Sequence, residues 1–190
     1  MKKGKLLWLM AASVLLQGCA VALLGGGAVG AKVATDPRTL GVQVDDETLE
    51  LKVENALYQD QQIQAEARIN AVSYSQRVLL IGQVPNQSLK ETATSLAKGV
   101  EGVVDVYNEL RLQPKISFAQ ISKDSWITTQ VKSKLFVDDR VKATDVKVVT
   151  ENGEVFLLGN VTPSQGEAAA EIASRIDGVR RVIKVFKYLD

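Results

Sequence analysis

The chain has no histidine, a single cysteine and an aromatic content of only 5%. Without histidine it lacks the commonest general base and metal ligand, and one cysteine allows neither an internal disulfide nor a thiolate cluster for zinc. No nucleophile, base and orienting group come together in the sequence. The chain therefore reads as a protein that is not an enzyme, with no catalytic residue, no metal and no cofactor. Charge of neither sign dominates, since 23 Lys and Arg face 22 Asp and Glu, and nucleic-acid binding is disfavoured for want of a strongly basic domain. Long hydrophobic runs are scarce too: the apolar stretch from Leu6 to Leu16 is too short to cross a bilayer as a helix.

That stretch follows Lys2, Lys3 and Lys5, a positive region before an apolar one, which is the build of a signal peptide over residues 1–18. It closes on Leu16-Gln17-Gly18-Cys19, which resembles a bacterial lipobox. The resemblance implies cleavage before Cys19 and lipid attachment, palmitate included, on that residue; the other reading is an ordinary secretory signal with a leftover thiol. Several acyl chains on one cysteine give durable anchoring where a single chain would not. Ala20 follows the cysteine in place of the aspartate of inner-membrane retention. That implies the inner leaflet of the outer membrane, facing the periplasm. Residues 19–44, with Gly25, Gly26, Gly27 and Gly30, read as an acylated N-terminus and flexible linker.

The rest of the chain is a duplication. Val78-Leu79-Leu80-Ile81-Gly82-Gln83-Val84 is rewritten as Val155-Phe156-Leu157-Leu158-Gly159-Asn160-Val161, each after a short polar turn. Each reads as a hairpin whose second strand is buried. Ahead of the hairpins, Leu49, Val53 and Leu57 match Ile127, Val131 and Leu135 at helical spacing. Asp45-Asp46 is expected to cap the first of these helices, with Asp124 matching Asp46. A second helix is predicted over 88–98 and again over 167–175, and a last strand over 103–112 and 181–189. The fold class is α+β: two tandem αββαβ modules, each a three-stranded mixed sheet with two helices. Their expected bounds are 45–113 and 123–190, with a short linker, 114–122, that should leave them touching.

Two such modules, each with a strand ending in glycine and a late Glu101-Gly102-Val103 or Asp177-Gly178-Val179, resemble the BON domain. With the lipobox, Thr35-Asp36-Pro37-Arg38, Val44-Asp45-Asp46, Trp126-Ile127-Thr128-Thr129 and Thr150-Glu151-Asn152-Gly153, the chain is similar to dual BON-domain outer-membrane lipoproteins. The resemblance implies a non-catalytic envelope protein. It would bind anionic phospholipid through its second module, concentrate at the division septum and support outer-membrane integrity.

The copies also differ. On a helical wheel Trp126, Thr129, Gln130, Ser133 and Val137 lie opposite Ile127, Val131 and Leu135, whereas the first copy has Thr48 and Gln59 where the second has Trp126 and Val137. A tryptophan ring suits the headgroup level of a bilayer, and Lys123, Lys132 and Lys134 beside it attract an anionic surface. Residues 45–113 carry six basic and eleven acidic side chains, net −5, and 123–190 eleven and ten, net +1. The second module is therefore the one expected to meet lipid. Phe118, Trp126, Thr129, Gln130, Lys132, Ser133, Lys134 and Val137 are the predicted phospholipid-binding residues, with phosphatidylglycerol or cardiolipin as partner and the chain a monomer. The alternative for Trp126 is packing against the linker or first module, shielding Phe118 or Ile121. The alternative function is an envelope adaptor, for the β-barrel assembly machinery or cell-wall enzymes, contacting through the acidic first module. Arg175, Arg180, Arg181, Lys184 and Lys187 read as a solvated edge, and Asp138-Asp139 as helix-end capping.

Overall fold

Helical and pleated segments alternate along the chain as the apolar periodicities dictate. The computed structural model describes the backbone of residues 40–189 and the side chains of 45–189. The signal peptide, Cys19 and most of the predicted linker lie outside the described residues. In the first module α1 (Leu40–Tyr58) and the short α2 (Gln61–Glu66) precede a hairpin, β1 (Arg68–Tyr74) and β2 (Arg77–Val84). Then come α3 (Gln87–Lys98), β3 (Asp105–Asn108) and β4 (Arg111–Leu112). The second module has α4 (Phe118–Phe136), a 3₁₀ turn over Ala143–Asp145, and β5 (Val146–Glu151) with β6 (Glu154–Val161). It ends with α5 (Pro163–Ser174) and β7 (Arg181–Tyr188).

In each sheet the central strand pairs antiparallel with its hairpin partner and parallel with the last strand: Val72 opposite Leu79 and Val78 beside Val106, then Val148 opposite Leu157 and Val155 beside Val182. The repeated glycine is explained by the pairing. A Cβ on Gly82 would lie 2.0 Å from the Arg68 carbonyl oxygen, and one on Gly159 2.2 Å from that of Asp145. Neither backbone can be approached that closely past a side chain.

Several boundaries depart from expectation for local reasons. Helix α1 starts at Leu40, so Asp45 and Asp46 lie inside it and cap nothing. Asp46 is buried and reaches across to the hairpin turn, accepting from the Ser73 hydroxyl at 2.8 Å and from the Ser75 and Gln76 amides at 2.8 and 2.9 Å. Those two turn residues have φ of +52° and +61°, the left-handed pair of a twist-matched hairpin turn. Asp124, inside α4, does the same for the Asn152 and Gly153 amides at 2.6 and 2.8 Å. Residues 118–122, expected in the linker, are the opening turns of α4, because Ser117 caps that helix by accepting from the Gln120 amide. Helix α5 likewise starts early, at Pro163, behind a reciprocal Thr162–Gln165 capping box. The first module's last strand is broken where Leu110 turns into the core while Asn108 Oδ1 accepts from the Leu110 amide. Helix α2 was not foreseen; Asp60 caps it, and it buries Ile63.

Each sheet has helices on one face. Leu49, Val53, Leu57, Val78 and Leu80 share one core, and Ile127, Val131, Leu135, Val155 and Leu157 share its counterpart. The other two faces pack on each other. Val72, Tyr74, Leu79 and Ile81 meet Phe156 and Leu158, with Val149, Ile183 and Val185 around them. This gives β2 and β6 their continuous apolar runs, since a strand covered on both faces has no need to alternate. Polar groups rim the contact. Arg68, Asn70 and Gln83 of the first module all donate to the buried Glu151 carboxylate, the arginine at 2.6 Å. Lys147 donates to Glu50 at 2.5 Å and Arg111 to Glu154 at 2.8 Å. Residues 40–190 are one compact unit.

Candidate functional site

Helix α4 buries Asp124, Ile127, Val131 and Leu135 and turns its other side to solvent. Along that side Phe118 is 81% exposed, Trp126 52%, Phe136 80% and Val137 73%. Phe118 and Phe136 are eighteen residues apart, five full turns, so they share one azimuth at the two ends of a line about 27 Å long. Trp126 stands near mid-length, about 80° round the helix from that azimuth, so the three rings form a band on the outer side. Phe136 was missing from the predicted set; the same five-turn spacing to Phe118 was the signal that could have found it. Thr129, Lys132, Ser133 and Lys134 are exposed as expected, and Gln130 is half-buried. The lysines lie on opposite flanks of the apolar line, given the 100° step between helix residues.

Three of the small polar residues between the rings have already satisfied their hydroxyls. Ser125 donates to the Ile121 carbonyl at 3.1 Å, Thr129 to Ser125 at 3.0 Å and Ser133 to Thr129 at 2.9 Å. A hydroxyl bonded back to its own helix loses little when water leaves, so these three residues can enter a poorly hydrated layer without stranding donors. Trp126 shields neither Phe118, which is itself exposed, nor the contact between the modules, which is made by the sheets.

The corresponding face of α1 also presents apolar side chains, Leu51 at 67% and Tyr58 at 58% exposure, where α4 has Thr129 and Phe136. Charge separates the two faces: exposed Asp45 and Glu47 stand on α1, Lys132 and Lys134 on α4. The expectation that the first copy is plain holds for Thr48 and Gln59, both polar and exposed, and not for the rest of the face.

Most of the remaining candidates are engaged in structure, while Lys187 and Asp139 are exposed. Asp138 lies past the end of α4 and caps no helix; it pairs with Arg140 at 2.9 Å, and that guanidinium holds its carboxyl down at about 2. Arg175 pairs with Glu171 and Lys184 with Glu167, Arg181 approaches Glu154 at 3.9 Å, and Arg180 donates to the Asn152 carbonyl.

Comparison with known proteins adds four findings. A family model for the BON domain matches residues 45–114 and again 123–190. The chain is 74% identical over 186 residues to the outer membrane lipoprotein DolP of Haemophilus influenzae, covering 98% of this chain and 96% of that one. It is 56% identical over 154 residues to the 21 kDa hemolysin of Actinobacillus pleuropneumoniae (81% and 79% covered), and 35% identical over 156 to osmotically-inducible protein Y of Escherichia coli (80% and 77%).

Proposed function

The chain belongs to the BON-domain family, and from that premise we propose that it is an outer-membrane lipoprotein that binds anionic phospholipid through the outward face of α4, without catalysis. The observation that carries this reading is the band of Phe118, Trp126, Phe136 and Val137, exposed on one side of α4, where the Ser125, Thr129 and Ser133 hydroxyls are internally bonded and the flanks carry lysines. Helix α4 would lie in the plane of the membrane surface, its rings at the headgroup level. Moving a large apolar side chain out of water contributes about 1.5–3 kcal/mol when complete, and each lysine near an anionic leaflet about 1 kcal/mol. Partial burial gives a weak site by itself. An acyl anchor on Cys19 would hold the module within reach of the same membrane and make that weak site effective by local concentration. The likeness to an outer membrane lipoprotein supports that membrane as the location, and the inner leaflet and enrichment at the septum belong to the same proposal.

The test is co-sedimentation of residues 40–190 with vesicles of phosphatidylcholine alone or mixed with phosphatidylglycerol. Wild-type chain pellets with the mixed vesicles only. Trp126→Glu lowers the affinity about tenfold or more while the circular dichroism spectrum is unchanged, because the ring is outside both helix–sheet cores. Undiminished binding by a folded Trp126→Glu chain removes the proposal. A second reading, an adaptor for another envelope protein such as the β-barrel assembly machinery, is favoured by one observation, the exposed Leu51 and Tyr58 on the acidic face of α1. It predicts that Leu51→Glu abolishes capture of a stoichiometric protein partner with lipid binding intact.

A further inference from the structure

A hollow of about 380 Å³ opens at the C-terminal end of the same face, between α4 and α5. Its floor is apolar, made by Val137 and the half-buried Ile172 and Ile176, and its walls carry Lys134, Arg140 and Arg175 with Asp138. The electrostatics leave one positive charge over. Arg140 is bound by Asp138 and by Glu171 at 2.9 Å each, and Arg175 shares Glu171. No ion pair is found for Lys134 among the described residues, and three cations against two carboxylates give a net of +1. Helix C-termini attract cations through their dipoles, which accounts for Lys134 and Arg175 being there. It does not account for an unfilled apolar floor beside them.

We infer that this hollow seats one anionic phospholipid, its phosphodiester between Lys134 and Arg175 and the first methylenes of its acyl chains on Val137, Ile172 and Ile176. This deepens the lipid reading and rests on it: Val137 belongs both to the exposed line of α4 and to the hollow, so a lipid there is continuous with the membrane on which α4 lies. A singly charged headgroup matches the single unbalanced cation. The face as a whole then supplies membrane adsorption, and the hollow a stoichiometric site that prefers an anionic phosphodiester over a zwitterionic one.

The experiment follows amide resonances of residues 40–190, which contain all three cores, during titration with dihexanoyl phosphatidylglycerol below its micelle concentration. Saturable one-to-one shifts are expected at Ile172, Arg175 and Ile176, all outside α4. Dihexanoyl phosphatidylcholine should bind about fivefold more weakly, as should Lys134→Gln and Arg175→Gln with phosphatidylglycerol, each having lost about one favourable charge interaction. Lys187→Gln, an equal charge change on β7, should not alter the affinity. Glycerophosphoglycerol, the headgroup without chains, should produce no shifts at the same concentrations. The inference is overturned if shifts are confined to α4, if Lys187→Gln weakens binding as much as Arg175→Gln, or if the chain-free headgroup binds equally. It is equally overturned if Arg175→Gln only lowers the melting temperature, the mark of dipole compensation alone. The parent reading fails separately, when wild-type chain does not pellet with phosphatidylglycerol vesicles.

Discussion

Replacing Phe156 by alanine removes the largest fully buried side chain of the core shared by the two sheets, one that is 1% exposed and packed with Leu79, Ile81 and Leu158. Large-to-small changes of this kind cost about 3–5 kcal/mol, the lost transfer energy plus the cavity. Set against a typical total of about 5–15 kcal/mol, that is a large share of the stability. Because Phe156 lies on the face turned to the first module, the loss must be felt by both modules: neither sheet can shed its partner without exposing Val72, Leu79, Ile81, Leu158 and the apolar rim. With a urea slope of about 2 kcal/mol per M, the midpoint should fall by roughly 1.5–2.5 M in a single transition. Circular dichroism gives the midpoint, and amide hydrogen exchange resolved by module shows whether Leu57 in α1 and Val131 in α4 lose protection together. For the same reason residues 123–190 alone should be aggregation-prone. Retained protection across the first module in the Phe156→Ala chain, or a well-folded isolated second module, would refute the claim that the sheets form one cooperative core.

Three further outcomes follow from the geometry. Asp124→Ala strands the Asn152 and Gly153 amides that its carboxylate now accepts and should cost about 2–4 kcal/mol by thermal melting, with Asp124→Asn costing less. Gly159→Ala drives a Cβ into the Asp145 carbonyl at 2.2 Å; soluble yield should collapse, and the reverse result would mean β5 can shift freely. Asp138 should titrate near 2 by carboxyl carbon resonance, and Arg140→Gln should return it toward the ordinary 3.8. As its folded value is depressed, the small contribution of this exposed pair is present above about 3.8 and lost as pH falls through 2.

Much of this molecule is legible in one dimension. Strand β2 is legible to within one residue and the central strand of each sheet reads as buried, because a run such as Val78-Leu79-Leu80-Ile81 cannot face water on either side. Trp126 was placed on the outer side of its helix from the 100° step alone. Helix starts were harder. Asp46 and Asp124 look like caps to local rules, and their true partners are hairpin amides 28–30 residues away. Glu151 gave no local signal at all, since its three partners belong to the other module. The hollow beside Val137 depends on α4 meeting α5, which the spacing of either helix does not disclose.

By itself the sequence determined the duplication, the α+β class, the helix and strand periods and the opposite charge balance of the two copies. These are properties of each segment taken with its own neighbours. The tertiary structure decided what covers the second face of each sheet, which acids hold which turns, and which apolar residues stay outside. The physical reason is that hydrophobic spacing reports that a face must be buried, while the identity of the surface that buries it is fixed only when β2 and β6, some 77 residues apart in the chain, pack against each other.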